Sequence, residues 1–246
     1  MTNADGAILS ALYPSKDNSL TMNHPLDRPI WTALTTRQEV LAQVAGGIRR
    51  YKPEFAPFAA TAEGTAESFA NLAALVPTGD CIYIQQAEPV PALPGFDVLM
   101  SKETVQMVAE KVNGPQAGFA FEVLDPQDAP EMRELAGLTK PGPFAERTNE
   151  LGRFVGVRHG GGLVAMAGER MKAGPFTEIS GVCTHPDHRG RGYAAGLMRE
   201  VGRAVLARGE TPFLHAFADN FGAIALYEKL GFAVRWRPAL IALRRI

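Results

Sequence analysis

HPDHRGRGYAAGLMREVG, residues 185–202, is the stretch on which the reading of the chain turns. Its first eight residues hold two histidines, two arginines, Pro186, Gly190 and Gly192, and an amphipathic pattern starts directly after them. Glycine lets backbone come close to a ligand and take positive φ. A helix opened by such a loop offers N–H groups without intrahelical partners, and its dipole adds partial positive charge. The combination predicts an anion site, with phosphate as the usual occupant. Gly190, Gly192, Ala194 and Ala195 keep the approach open, while Arg189 and Arg191 supply charge. Leu197, Met198, Val201 and Val205 fall on one stripe that can dock the helix on a sheet. The plainer alternative is an exposed basic turn before a helix, but small residues fill every position where a phosphate would meet backbone. No GK[ST] follows, so this is not a Walker loop, and the glycine spacing does not fit a dinucleotide fingerprint.

The rest of the composition narrows the class. The 246 residues allow one large domain or two modest ones, with 46% hydrophobic and 21% charged side chains, an ordinary globular balance. Twenty-five basic against twenty-six acidic residues leave a net charge of −1, so no global field attracts nucleic acid or an anionic membrane, and neither is expected as a partner. Cys81 and Cys183 are the only cysteines, too few for a disulfide framework or a cysteine-based zinc site. The N-terminus does not read as a signal peptide, and no run reaches the roughly 20 apolar residues of a membrane helix. A cytoplasmic location is the expectation.

Along the chain, residues 1–20 read as a loose polar tail, residues 21–113 as an N-terminal α/β domain and residues 114–246 as a second α/β domain, divided at the turn-rich NGPQAG. In the first part, IWTALTTRQEVLAQVAGGI reads as a helix closed near Gly46-Gly47, PFAAT and CIYIQ as strands, AESFANLAALV as a helix, and SKETVQMVAEKV as a third helix capped by Ser101. In the second, FAFEVL is a strand, DPQDAPEMRELAGL a helix, PFAERTNEL a short helix, and the run from Gly152 to Met171 two strands about an HGGG turn. FTEISGVCT is a strand in which Gly181 suggests a bulge. The helix after the opening loop ends at Gly209, TPFLHAF is a strand, NFGAIALYEKL a helix closed by Gly231, and FAVRWR and ALIALRR are the last strands. The arginines outside the loop, Arg235 and Arg237 among them, read as a solvated edge.

The strand VCT, the turn HPDH and RGRGYA opening a helix resemble the acyl-CoA signature of the GNAT superfamily of N-acyltransferases. Its loop pattern [RQ]-x-x-G-x-[GA] is matched by Arg189, Gly192 and Ala194. A second signature, an Asn followed seven residues later by Tyr and then Leu-Gly-Phe, is matched by Asn220, Tyr227 and Leu230-Gly231-Phe232. The resemblance covers roughly residues 114–246 and is nearest the glycine N-acyltransferase-like branch, in which a degenerate copy of the fold precedes the first; residues 25–110 suit that role by rhythm and length. It implies a GNAT fold, a central mixed, mostly antiparallel twisted sheet flanked by helices, preceded by a smaller α/β domain. It also implies acyl transfer from an acyl-CoA thioester to an amine. Acetyl-CoA is the expected co-substrate on prevalence rather than on any residue, and the expected acceptor is a small amine or an amino acid. The cofactor-binding set expected is Val182, Cys183, Thr184, Arg189, Gly190, Arg191, Gly192, Tyr193, Ala194, Ala195, Asn220 and Tyr227.

The chemistry asks for particular groups. An amine of pKa about 10 is mostly ammonium at neutral pH, so attack needs a base or a desolvated site. The thioester carbonyl gains negative charge and needs a donor, and the leaving thiolate needs a proton. Tyr227 is the acid that the resemblance implies, against a core tyrosine; Asn220 shares its helix face and also suits an N-cap. For the base, Glu178 comes first and His215 second, against a carboxylate merely paired with an arginine and a hydrogen-bonded, half-buried histidine. Val182, Cys183 and Thr184 would act through backbone groups that pair with the amide arm of CoA as an added strand does. Cys183 as a nucleophile and a metal at His185, Asp187 and His188 are set aside, the first as a buried strand cysteine and the second as a turn without further ligands. The reading from another class is a non-catalytic acyl-CoA-binding sensor or assembly protein; a third is a phosphate or nucleotide site of another kind. A homo-oligomer is compatible with all of them.

Overall fold

The structure, a computed structural model, describes residues 24–69, 71–86 and 90–246; the expected tail at 1–20 lies outside them. Helix α1 (Pro29–Thr35) is followed by strands β1 (Ala42–Ala45), β2 (Ile48–Tyr51) and β3 (Ala59–Thr61), the one-turn helix α2 (Leu72–Leu75), β4 (Cys81–Gln86) and β5 (Phe96–Val108). Next come β6 (Glu122–Leu124), α3 (Ala129–Thr139), β7 (Phe154–His159), β8 (Gly162–Ala173) and β9 (Phe176–Thr184). The chain ends with α4 (Tyr193–Ala207), β10 (Thr211–Phe217), α5 (Phe221–Lys229), β11 (Ala233–Trp236) and β12 (Ala239–Arg245).

Strands β1, β2 and β3 make a small sheet, and the large sheet runs β4-β12-β5-β10-β9-β8-β7-β6 with β11 also on β5. Its neighbours are antiparallel except β9 and β10, which run parallel. The expected division after residue 113 falls between β5 and β6, two strands of this one sheet. Alternation along β7 sorts the core: Val155 and Val157 pack with Leu197, Met198 and Val201 of α4, while Phe154 faces Met132 and Leu135 of α3. The α4 stripe expected from spacing is fully buried at all four positions, and burying each such side chain contributes about 1.5–3 kcal/mol. Helix α1 packs on Met171 and Ala173 at the end of β8 and on Phe176 and Phe213 near the start of β9 and β10. Among the described residues no helix is long and apolar enough to cross a membrane.

Three helices expected in the first half are corrected. SKETVQMV is strand, the second half of β5, with Thr104 to Val108 paired to β10. Val105 and Met107 enter the core, whereas Thr104 and Gln106 bond polar groups on the other face. That period-2 pattern is hidden by helix-forming Lys102 and Glu103 beside a cap-like Ser101. The first helix stops at Thr35, because Thr35 and Thr36 turn their hydroxyls onto the carbonyls of Trp31 and Thr32, competing with helix propagation. The apolar residues beyond form β1 and β2 about Gly46, whose φ of 56° makes a hairpin turn rather than a helix cap. AESFANLAALV keeps only α2 as helix; the residues before it that are described are turns.

Candidate active site

The site begins where β9 and β10 part. Their register ends at Phe213 opposite Glu178. Beyond that pair β9 stays on β8, with Met166 opposite Cys183, and β10 stays on β5, with Phe217 opposite Thr104. Gly181, at φ 64°, sits where the β8–β9 register shifts. A Cβ there would come within 2.9 Å of the Phe154 ring, so the bulge needs glycine for both reasons. The wedge leads into two cavities of about 470 and 480 Å³ that share Lys140, Pro141, Val182, Asn220 and Tyr227 at their junction.

The second cavity is bounded by Thr184 and the loop His188–Gly192 ahead of α4. Gly190 and Gly192 have φ of 76° and 77°, and a Cβ on either would meet open space, so backbone there is both left-handed and uncovered. The first helical bond of α4 runs from the Gly196 N–H to the Gly192 carbonyl, which leaves the N–H groups of Tyr193, Ala194 and Ala195 at the cavity. Arg189 and Arg191 are exposed and make no ion pair among the described residues. This donor set fits a polyanion: free N–H groups, a fifteen-residue helix dipole and two uncommitted guanidiniums. His185 caps the short turn before the loop by accepting from the Asp187 N–H at 3.3 Å, and the His188 ring lies tilted against His159 with 4.9 Å between ring centres.

The first cavity contains the polar core of the site. Glu178 is fully buried, and Arg170 grips it with two bonds, Nε to Oε2 at 2.8 Å and Nη2 to Oε1 at 2.9 Å. His215 Nδ1 lies 2.8 Å from the same Oε1. On its other side, His215 Nε2 is 3.2 Å from Gln106 Nε2, whose amide also donates to the Leu26 carbonyl at 2.9 Å. Gln106 Oε1 accepts from Arg235, and Arg235 reaches Asp27. With its oxygen facing a guanidinium, Gln106 can only donate to His215, so the imidazole is neutral, carrying its proton on Nδ1 toward Glu178 and a lone pair on Nε2. Burial alone would raise the Glu178 carboxyl, but the Arg170 charge, helped by the His215 and Arg170 hydrogen bonds, holds it well below the usual carboxylate range.

Tyr227 borders both cavities, and burial raises its phenol, so it stays protonated. Asn220 caps α5, its Oδ1 accepting from the Ala223 N–H at 3.3 Å, which fixes the rotation that brings Tyr227 to the junction. Cys183 is buried against α3 and its thiol is pushed up to about 11 by that burial. The structure thus brings Glu178, His215, Val182, Asn220 and Tyr227 together and puts the arginine loop at the far end of the second cavity. Arg235, expected on a solvated edge, is instead buried in the network, while Arg237 does lie exposed against Glu103. Arg170, Gln106 and Lys140 were not anticipated. The signal for the first was a charged residue inside an otherwise apolar strand run; Gln106 was hidden by the mistaken helix.

Comparison with known proteins gives a consistent result. The FR47-like protein family matches residues 154–240. N-alpha-acetyltransferase RimI of Mycobacterium tuberculosis is 37% identical over 99 residues, a match that takes in 37% of this chain and 61% of that protein. A GCN5-related N-acetyltransferase from Kribbella flavida, 17% identical, shares the fold with a TM-score of 0.59 over 89% of this chain and 95% of its own. A GNAT-family structure from Novosphingobium aromaticivorans is 44% identical, superposes with a TM-score of 0.83, and is matched over 91% of this chain and 100% of its own. On that whole-length relationship, the chain belongs to the GNAT family of N-acetyltransferases.

Proposed function

We propose that the chain transfers the acetyl group of acetyl-CoA to the amine of a small molecule or amino acid by direct attack, without a covalent enzyme intermediate. The observation that carries this reading is the junction at the parted β9 and β10, where an anion-binding cavity and a polar-and-apolar cavity meet beside one protonated tyrosine. The α4 loop N–H groups, Arg189 and Arg191 would hold the phosphates, and the free edge of β9 at Val182 to Thr184 would pair with the amide arm. Acetyl-CoA supplies a thioester-activated acetyl group and a thiolate leaving group.

The remaining work falls to side chains. Tyr227, kept protonated by its burial, gives a hydrogen bond to the departing sulfur. Arg170 keeps Glu178 ionised, and both His215 ring nitrogens have protein partners, so the proton leaving the acceptor amine passes to the hydrogen-bonded Glu178–His215 pair in the wall of the first cavity. Glu178 and His215, read from sequence as alternative bases, are proposed here as one basic unit. The name of the Mycobacterium tuberculosis relative, an N-alpha-acetyltransferase, supports an amine acceptor. Thermal-shift titration with acetyl-CoA, CoA, ATP and NAD tests the donor. A ligand specific to the folded state adds about 2.7 kcal/mol at one hundred times its Kd. A shift with CoA compounds alone is expected; none at millimolar concentration would remove the assignment.

A further inference from the structure

The first cavity carries a charge pattern that acetyl transfer alone does not require. Glu178 is the carboxylate in its wall, and Arg170 already holds both of its oxygens. Lys140, by contrast, is exposed at the junction of the two cavities and forms no ion pair among the described residues. It is held there as the left-handed cap of α3, with φ of 51°. The far wall is apolar, with Phe58 and Tyr83 at 5.9 Å between ring centres and Met100 and Leu240 beside them.

We infer that the acceptor is an apolar α-amino acid whose carboxylate is held by Lys140 and whose side chain lies among Phe58, Tyr83, Met100 and Leu240. This rests on the acetyl-transfer reading above. In an α-amino acid the amine and the carboxylate share one carbon, so an amine placed at the junction brings its carboxylate to the junction as well. Lys140 is the charged side chain common to both cavities. A polyamine or a lysine side chain would bring a second cation into a space whose single carboxylate is already neutralised, and such a cation would lack a partner. The volume of about 470 Å³ has room for an aromatic amino acid beside the acetyl end of the donor.

The test is thiol release by the full chain at saturating acetyl-CoA with L-phenylalanine, L-leucine, L-phenylalaninol and spermidine. The two amino acids are expected to turn over. Phenylalanine should exceed phenylalaninol, which lacks only the carboxylate, by about tenfold in kcat/KM, the size of one charge-assisted hydrogen bond. In Lys140→Gln that ratio should fall to within about twofold, and any effect of the change on the donor cancels between the two acceptors. Preference for spermidine or phenylalaninol, or a ratio that survives Lys140→Gln, overturns the inference. So does acetyl-CoA binding, measured by calorimetry, with neither amino acid turned over. Absence of acetyl-CoA binding would bring down the acetyl-transfer reading and this one with it.

Discussion

Replacing Arg170 with methionine keeps much of the side chain's length but removes the guanidinium that lies over Phe58 and that Glu178 depends on. In the native protein burial works to raise the Glu178 carboxyl, and the Arg170 charge with the His215 and Arg170 hydrogen bonds overrides it, bringing it from 4.5 to about 2. A depression of that size corresponds to about 3 kcal/mol of stability. Its sign is that of a lowered acid: the contribution is complete above the unfolded carboxylate value and is lost as pH falls toward about 2. Without Arg170 the same carboxyl is fully buried beside one imidazole, so burial dominates and protonation moves upward. Arg170→Met should therefore cost about 3–5 kcal/mol at neutral pH, the range for breaking a buried pair. Its stability should now improve as pH falls through roughly 6, opposite to the native trend. With a urea m-value of about 2 kcal/mol/M, the midpoint should drop by roughly 1.5–2.5 M near neutrality and by less in mild acid. Arg170→Met combined with Glu178→Gln should regain much of the loss, since the stranded charge is gone. A midpoint within about 0.5 M of the native value, with the native pH slope, would refute the reasoning.

Tyr227→Phe should lower kcat by about 10²-fold or less while leaving acetyl-CoA affinity within about twofold, read by steady-state kinetics and calorimetry. Arg189→Ala and Arg191→Ala should each weaken CoA binding by about three- to tenfold and flatten its salt dependence, with the melting temperature unchanged because both side chains are exposed. Gly192→Ala, at φ 77°, should cost about 1 kcal/mol in urea denaturation and weaken CoA as the loop shifts. Gln106→Glu should force a proton onto His215 Nε2 to satisfy the new carboxylate. The acid limb of the pH–rate profile should then move to higher pH; a uniform drop in kcat at every pH would count against the Glu178–His215 pair as the base.

What could be read from the sequence divides along physical lines. The α4 loop was legible because its chemistry is local: glycines, arginines and a helix start lie within a dozen residues, and the α4 stripe obeys one helical period. Asn220 and Tyr227 were legible for the same reason, two groups on one face of one helix. Glu178 and His215 could be named as candidate bases, but not their link to one another, because that depends on Arg170, eight residues from Glu178 on another strand, and on Gln106, 109 residues from His215. The buried arginines were invisible, since a guanidinium at a strand position looks solvated until its partners are known. In β5 a period-2 core was overruled by side chains that favour helices when nothing else decides, and the error concealed the residue that fixes the tautomer of His215.

The sheet order then explains why the two halves act as one site. Strand β5 lies between β12 and β10, so Thr104 is paired to Phe217 across one seam while its hydroxyl takes an amide bond from Gln85 of β4 and donates to the Pro238 carbonyl ahead of β12. The donor end, with Gly190, Gly192 and α4, is built from residues after 180 together with Thr139, Lys140 and Pro141 at the end of α3. The acceptor wall borrows Phe58, Tyr83 and Met100 from residues before 110. Backbone N–H groups that read a polyanion tolerate little change, because each atom's position is set by φ values such as those of Gly190 and Gly192. Side chains standing on β4 and β5 can change without touching the register that holds them. On the function proposed above, donor recognition and acceptor choice fall on different stretches of the chain, and the parted strands β9 and β10 are where the two must meet.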